Sequence, residues 1–138
     1  MKESSAAIAN QVIATADAPA AIGPYSQAIL SGDLLFTAGQ IPLDPATMDV
    51  VEGGIEAQTE RVMQSLEAIL VAAGSSFAHV LKTTCFLTDL GDFPAFNAIY
   101  ATRFPTNPPA RSTVQVSKLP RGVLVEVECI ARIASAGA

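Results

Sequence analysis

The sequence predicts an α+β fold in which one mixed, six-stranded sheet carries two helices on one face. The chain has 138 residues, its apolar positions alternate between periods of 2 and 3.6, and glycines and prolines separate the segments. This length suits one compact domain. We expect a single domain over residues 1–138, with a core at about 12–133 and short flexible ends.

Three strands are predicted to open the fold. QVIAT, at 11–15, is a short strand-like segment. QAILS at 27–31 and LLFTAGQI at 34–41 flank Gly32-Asp33, a two-residue connection typical of a β-hairpin. The next segment, 42–54, contains two prolines and a Gly-Gly pair, which favours a loop.

Two helices and three further strands are predicted to complete the chain. An apolar period of 3.6 begins at Ile55 and predicts an amphipathic helix that ends at Gly74. The β-branched segment 81–90 predicts a strand, and 91–104 predicts a helix that starts at Asp92 and tolerates Pro94 in its first turn. Prolines 105, 108 and 109 end this helix. Segments 110–119 and 122–133 are predicted as the last strands.

The composition is unusually apolar for a chain of this length. Half of the residues are hydrophobic and 15% are charged, whereas average domains contain about 25% charged residues. Two helices can cover only one face of the sheet. We therefore predict that the other face packs against copies of itself in a closed, symmetric oligomer.

Several classes of function are disfavoured by the sequence. Eight scattered basic residues and a net charge of −5 lack the clustered cations that bind nucleic acid, so no nucleic-acid partner is expected. No apolar run approaches the roughly 18 residues of a membrane span, and the first residues lack the apolar core of a secretory leader, which favours the cytoplasm. Cys85 and Cys129 form no CxxC motif, and the single histidine, His79, has no triad around it. We interpret all three as structural.

Three positions could contribute chemistry, and each has a simpler structural explanation. Alternation in the last strand places Glu126 and Glu128 on one face, as a solvated edge or as a pocket carboxylate with a raised pKa. Arg111 follows a Pro-Pro turn, where it could bind a carboxylate bidentately or lie at the surface. Tyr25, in the turn GPYS, could line a cleft or cover the core.

Five motifs in order resemble the Rid family, also called the YjgF or L-PSP family. They are APAAIGPYSQA at 18–28, FTAGQIPLDP at 36–45, TDLGDFPAFNAIY at 88–100, PPARSTVQV at 108–116 and VEVECIA at 125–131. The resemblance covers about residues 12–133, which is nearly the whole chain. It implies a chorismate-mutase-like α+β fold and a homotrimer with three clefts between subunits.

The resemblance also implies roles for individual residues. The family's arginine in the PARS motif, which binds the substrate carboxylate, falls on Arg111, and its glutamate in the final strand, which handles water and its proton, falls on Glu126. The tyrosine of the GPY motif falls on Tyr25, and the glycine of the GQ motif falls on Gly39. Asn97 matches an asparagine of the second helix, with a structural or a catalytic role.

Two positions depart from the family's archetype. Thr113 replaces a cysteine two residues after the arginine, and Ala38 replaces a serine before the GQ glycine. Imine hydrolysis needs no thiol, and the main chain at position 113 can still bind substrate, so Thr113 is kept among the substrate-binding residues. The replacement removes thiol-based regulation at this position and bears on substrate preference.

The activity implied is the hydrolysis of reactive 2-imino acids to 2-oxo acids and ammonia, by a cytoplasmic enzyme that needs neither metal nor organic cofactor. An iminium carbon is already electrophilic, so the site has to orient the carboxylate, place a water and move protons. One alternative is a non-catalytic module that binds small carboxylates such as 2-oxo acids. A further alternative is an endoribonuclease or translation inhibitor, which the acidic balance disfavours.

Overall fold

The computed structural model describes residues 10–134; the ends at 1–9 and 135–138, where flexibility was predicted, lie outside them. Six strands and two helices follow the predicted order. They are β1 (Gln11–Ile13), β2 (Ala28–Ser31), β3 (Leu34–Thr37), α1 (Ile55–Ala72), β4 (Val80–Leu87), α2 (Phe93–Ala101), β5 (Ala110–Gln115) and β6 (Val125–Arg132). The predicted α+β fold is confirmed, although several elements are shorter than predicted.

The strands form one mixed sheet in the order β1-β2-β3-β6-β4-β5. Only β4 and β5 pair in parallel, while the other neighbouring strands are antiparallel. Since β3 and β4 are both antiparallel to β6, they run in the same direction as each other. The connections β3–α1–β4 and β4–α2–β5 therefore both cross over in the same direction along the sheet. Right-handed crossovers of this kind place both helices on one face.

Local sequence explains the hairpin and the end of the first helix. Ser31 pairs with Leu34, so Gly32 and Asp33 form the predicted two-residue connection, and Gly32 has a φ of 63° that favours glycine. After α1, Gly74 has a φ of 80°, and the amide of Ser75 donates to the carbonyl of Leu70 at 2.7 Å. This bond completes a Schellman cap.

The third strand is interrupted where the sequence predicts a continuous one. The prediction of a strand over 34–41 is wrong after Thr37, because the register with β6 shifts by one residue between the pairs Phe36–Ile130 and Gln40–Val127. At this shift the amide of Cys129 donates to the side-chain hydroxyl of Thr37 at 3.0 Å. Pairing resumes only at Gln40, which forms an isolated bridge with Val127 of β6. The interruption places Gly39 beside the middle of β6.

The hydrophobic core lies between the helices and the sheet. Its fully buried side chains include Leu35, Val62, Met63, Leu66, Ile69, Leu70, Leu87, Phe96, Val125 and Val127. Cys85 and Cys129 are buried in the same cluster as free thiols, which agrees with the structural interpretation of both. Within residues 10–134, no helix is both long enough and apolar enough to cross a bilayer.

The opposite face of the sheet is not covered by either helix, and we call it the open face. Strand alternation places Val12, Phe36 and Val114 on it, with 61%, 42% and 43% of each residue exposed. Exposed apolar side chains on one sheet face are typical of a surface that binds another protein. They support the predicted self-association.

Candidate functional site

Arg111 lies at the start of β5, on the side of the sheet that the helices cover. Its Cα pairs with that of Thr83 on β4, and Thr83 is buried beneath α2. The Arg111 Nη1 donates to the Asn97 Oδ1 of α2 at 2.7 Å. Within residues 10–134, Arg111 forms no salt bridge with a carboxylate. Its charge is therefore held by a neutral amide and is available to an anionic ligand.

Two aromatic rings pack against the same guanidinium. The Cζ atom of Arg111 lies 4.7 Å from the ring centroid of Tyr100 and 5.1 Å from that of Phe93, both from α2. These are cation–π distances. Beside them lies a cavity of about 450 Å³ that Asn97, Tyr100, Phe104 and the prolines 108 and 109 line together with Arg111. We call Arg111, Asn97, Tyr100 and Phe93 the Arg111 half-site.

The sequence did not single out Tyr100 or its partner Thr83. The two hydroxyls are buried and lie 2.8 Å apart, so one donates to the other. Burial raises the pKa of the Tyr100 phenol above its ordinary value, and it stays neutral. The sequence does contain one signal for this pair. Thr83 is a polar residue at an inward-facing position of β4, and a buried hydroxyl needs a hydrogen-bond partner.

Thr113 lies two residues beyond Arg111 on β5 and faces the same side. Its Cα pairs with that of Cys85, and its hydroxyl is buried without a hydrogen-bond partner among the described residues. Burial raises the pKa of the Cys85 thiol, while its hydrogen bond to the Thr83 hydroxyl and the charge of Arg111 partly offset this. Cys85 is therefore protonated and unreactive. Thr113 lies beyond Arg111 on the same face of β5 and supplies no nucleophile.

Glu126 lies on β6 and projects from the open face. Its Cα pairs with that of Phe86, whereas the flanking Val125 and Val127 point into the core. Burial raises the pKa of the Glu126 carboxyl, and the negative charge of Glu128 raises it further. A pocket carboxylate, rather than a solvated edge residue, is the interpretation that this environment favours.

Gly39 lies directly against Glu126, which gives a physical reason for a glycine there. A Cβ atom built at this position would lie 2.8 Å from the Glu126 Cδ and closer still to its Oε2. Any side chain at position 39 would displace the carboxylate. Gly39 therefore provides the space that Glu126 occupies.

Tyr25 lies on the same side as Glu126. It is 53% exposed, and it lines a cavity of about 460 Å³ together with Gly39 and Glu126. The phenol oxygen accepts a long hydrogen bond of 3.4 Å from the amide of Ile22. We call Glu126, Gly39 and Tyr25 the Glu126 half-site.

The structure does not bring all six predicted site residues together in one chain. Arg111, Asn97 and Thr113 lie on the helix side, while Glu126, Gly39 and Tyr25 lie on the open side. Strand alternation fixes this division, because Thr83 faces the helices and Phe86, three residues later on the same strand, faces away. Within one chain, the sheet therefore separates Arg111 from the Glu126 half-site. Tyr25 lies beside Glu126 of its own chain.

Other candidate chemistry finds little support in the described residues. His79 is exposed, and its Nδ1 lies 2.9 Å from the Ser76 hydroxyl in a short turn before β4. Within residues 10–134, no group of three His, Cys, Asp or Glu side chains is placed to hold a metal ion.

Comparisons with known proteins agree with the motifs. The family model described as Endoribonuclease L-PSP matches residues 15–133. Reactive Intermediate Deaminase A, chloroplastic, of Arabidopsis thaliana is 45% identical over 94% of this chain and 70% of its own length. Other relatives bear RutC family names, which state no reaction.

Solved structures show the same fold. RidA from the Antarctic bacterium Psychrobacter sp. PAMC 21119 is 44% identical, with a TM-score of 0.86 over 89% of this chain and 99% of that one. E. coli TdcF, whose crystal structure contains bound serine, is 39% identical, with a TM-score of 0.84 over 90% and 99%. Since family model, sequence relatives and fold agree over nearly the full length, this chain belongs to the Rid family, also called YjgF or L-PSP.

Proposed function

We propose that this protein hydrolyses 2-imino acids to 2-oxo acids and ammonia. The observation that carries the proposal is a pair of complementary half-sites: an arginine without a carboxylate partner, and a glutamate whose pKa burial raises. The first suits the substrate carboxylate, and the second suits proton transfer. The deaminase name of the Arabidopsis relative supports the same reaction.

The reaction needs one water and returns its protons to the leaving group. Arg111 binds the substrate carboxylate and fixes the iminium carbon. Glu126 accepts a proton as water attacks this carbon, which gives a tetrahedral intermediate with a hydroxyl and an amino group. Glu126 then returns the proton to the amino nitrogen, and the C–N bond breaks as the hydroxyl group forms the carbonyl and gives its proton to Glu126. This second proton passes to the departing ammonia, so that ammonium and a 2-oxo acid leave. A carboxylate with a raised pKa is a stronger base than an exposed one, which suits the first step.

Association of subunits is part of the proposal. The two half-sites lie on opposite faces of one sheet, so a complete site requires Arg111 of one subunit and the Glu126 half-site of a neighbour. The homotrimer with inter-subunit clefts that the sequence resemblance implies would supply this arrangement. The exposed apolar side chains of the open face support such an assembly.

A non-catalytic module for small carboxylates is the second candidate. The serine bound in the TdcF structure supports a small-molecule site in this family. Such a module would use Arg111 and would not need Glu126. The nuclease activity in the family model's description has less support here, because eight dispersed cations and a net charge of −5 make a poor RNA surface.

A coupled assay tests the proposal. An amino-acid oxidase or threonine dehydratase generates the imine, and its loss is followed with wild-type protein, Arg111→Ala and Glu126→Gln. We expect acceleration by the wild type and a loss of about 10²–10⁴-fold in each variant. If the wild type binds 2-oxobutyrate but does not accelerate imine loss from several amino acids, the binding module replaces the deaminase.

A further inference from the structure

Tyr100 contacts the functional arginine and is anchored to the strand beside it. Its ring centroid lies 4.7 Å from the Arg111 Cζ, while its hydroxyl lies 2.8 Å from the Thr83 Oγ1. Thr83 is also the residue whose Cα pairs with that of Arg111. The phenol therefore extends from a fixed point on the neighbouring strand to the underside of the guanidinium.

The Tyr100 ring is also fixed from the core side. It packs against Phe96 at 5.5 Å and Phe104 at 4.8 Å between centroids, and Phe104 packs edge-on against Phe77 at 5.3 Å. Only 6% of Tyr100 is exposed. A ring held by aromatic neighbours and a buried hydrogen bond has little freedom to move away from Arg111.

Arg111 itself has no comparable anchor within its own strand. It is exposed, and β5 is an edge strand with mostly exposed side chains. A guanidinium has five N–H donors, and Asn97 accepts from Nη1. The Asn97 amide limits rotation of the guanidinium at Nη1, and the Tyr100 ring limits its movement out of its own plane. The remaining N–H groups of Arg111 are left for a bidentate contact with a carboxylate.

We propose that Tyr100, anchored by Thr83, is a positioning residue that holds the Arg111 guanidinium in the orientation that binds the substrate carboxylate. Tyr100 acts through Arg111 and not on the reacting atoms. This inference rests on one part of the proposed function, namely that Arg111 binds the carboxylate of a small 2-imino or 2-oxo acid.

Calorimetry with 2-oxobutyrate measures this role without requiring turnover. We expect Tyr100→Leu, which removes the ring, to raise Kd about 10-fold, as the loss of a partly desolvated cation–π contact predicts. Tyr100→Phe and Thr83→Val keep a ring but remove its anchor, and should each raise Kd about 3-fold. Phe77→Leu is the matched control, because Phe77 belongs to the same aromatic row but does not contact Arg111; its Kd should not change.

Two further measurements separate positioning from loss of stability. In an Arg111→Lys background the Tyr100→Leu effect on Kd should shrink, since the planar group that stacks on the ring is gone. In the coupled assay Tyr100→Leu should raise KM more than it lowers kcat, with the pH profile unchanged.

A folded Tyr100→Leu protein with wild-type oligomeric state and wild-type Kd would overturn the proposal, as would an equal rise of Kd in Phe77→Leu. If Tyr100→Leu does not fold, unchanged Kd values in both Tyr100→Phe and Thr83→Val overturn it. These results are distinct from failure of the deaminase, which is shown by wild-type protein that binds 2-oxobutyrate through Arg111 without hydrolysing imines.

Discussion

The Arg111 half-site and the Glu126 half-site use opposite physical means to prepare a charged group. Arg111 is exposed, and it is positioned by one amide and two aromatic rings from a single helix. Glu126 is partly buried beside another carboxylate, and its surroundings disfavour its charge. The Arg111 half-site controls the orientation of a guanidinium that is always charged. The Glu126 half-site controls how strongly its carboxylate holds a proton.

The two groups lie on separate faces of the sheet in one chain. If Arg111 lay beside Glu126 in the same chain, the ion pair would lower the pKa of the glutamate and occupy the donors of the arginine. The separation prevents this pairing within one chain. We therefore frame three predictions around the independence of the half-sites.

The largest effect is expected from mixing two inactive variants. Arg111→Ala and Glu126→Gln should each lose about 10²–10⁴-fold in kcat/KM. After joint unfolding and refolding, a random ring of subunits should place an intact arginine opposite an intact glutamate in about one cleft in four. Activity of the mixture should therefore return to about a quarter of the wild-type value.

The control is a mixture of Arg111→Ala with the double variant Arg111→Ala/Glu126→Gln, which lacks an intact arginine in any subunit and should stay inactive. If the first mixture also stays inactive, both residues act from one subunit, and the division between half-sites has no functional meaning.

A smaller effect is expected from Gly39→Ala, which disturbs only the Glu126 half-site. The new Cβ would meet the Glu126 Cδ at 2.8 Å and displace the carboxylate. We expect kcat to fall about 10²-fold, with the calorimetric Kd for 2-oxobutyrate nearly unchanged because Arg111 is not touched.

Gly54→Ala is the matched glycine control, since a Cβ there meets nothing within 4 Å, and it should keep its activity. A Gly39→Ala protein that loses carboxylate binding as strongly as turnover would contradict the independence of the two half-sites.

The smallest effect concerns the stability cost of Glu126. The pKa of the Glu126 carboxyl is higher in the folded than in the unfolded protein. The free energy of unfolding therefore falls as pH rises from the unfolded-state pKa through the folded-state pKa, and it stays lowered by the full amount above that window. Glu126→Gln removes the cost. We expect the variant to melt about 2–4 °C higher than the wild type near pH 8, with the difference vanishing at about pH 3.5, where both side chains are neutral.

Thermal unfolding of both proteins at pH 8 and pH 3.5 measures whether the difference in Tm has this sign and this dependence on pH. A difference in Tm that does not depend on pH would mean that packing, and not desolvation of the carboxylate, sets the effect of the substitution.

Most of the fold could be predicted because its signals are local. Alternation, the glycine at position 32 and the 3.6-residue period of α1 each act within a few residues, and each predicted element is present. The interruption of β3 after Thr37 could not be predicted, since it depends on a register shift against β6, which lies far away in the sequence. Residues 34–41 form one continuous strand-like pattern, but the backbone leaves the strand conformation after Thr37.

The division of the site was harder to predict. Alternation correctly placed Glu126 and Glu128 together on one face of β6, because their apolar neighbours face the core. The same argument fails for Arg111, since β5 is polar and exposed along most of its length and has no apolar face to orient it. Only the pairing of Arg111 with Thr83 under α2 decides its side. The role of Tyr100 depends on that same long-range pairing.

The contact between Gly39 and Glu126 also has an evolutionary consequence. Because a Cβ at position 39 would displace the Glu126 carboxylate, a lineage that depends on this carboxylate is expected to keep glycine at position 39. In a lineage that stops using the glutamate and shortens it, the restriction at position 39 is relaxed and larger residues can accumulate by drift. A relative in which both positions have changed is therefore expected to work without this carboxylate, whereas a change at position 39 alone is expected to be purged wherever the carboxylate is needed.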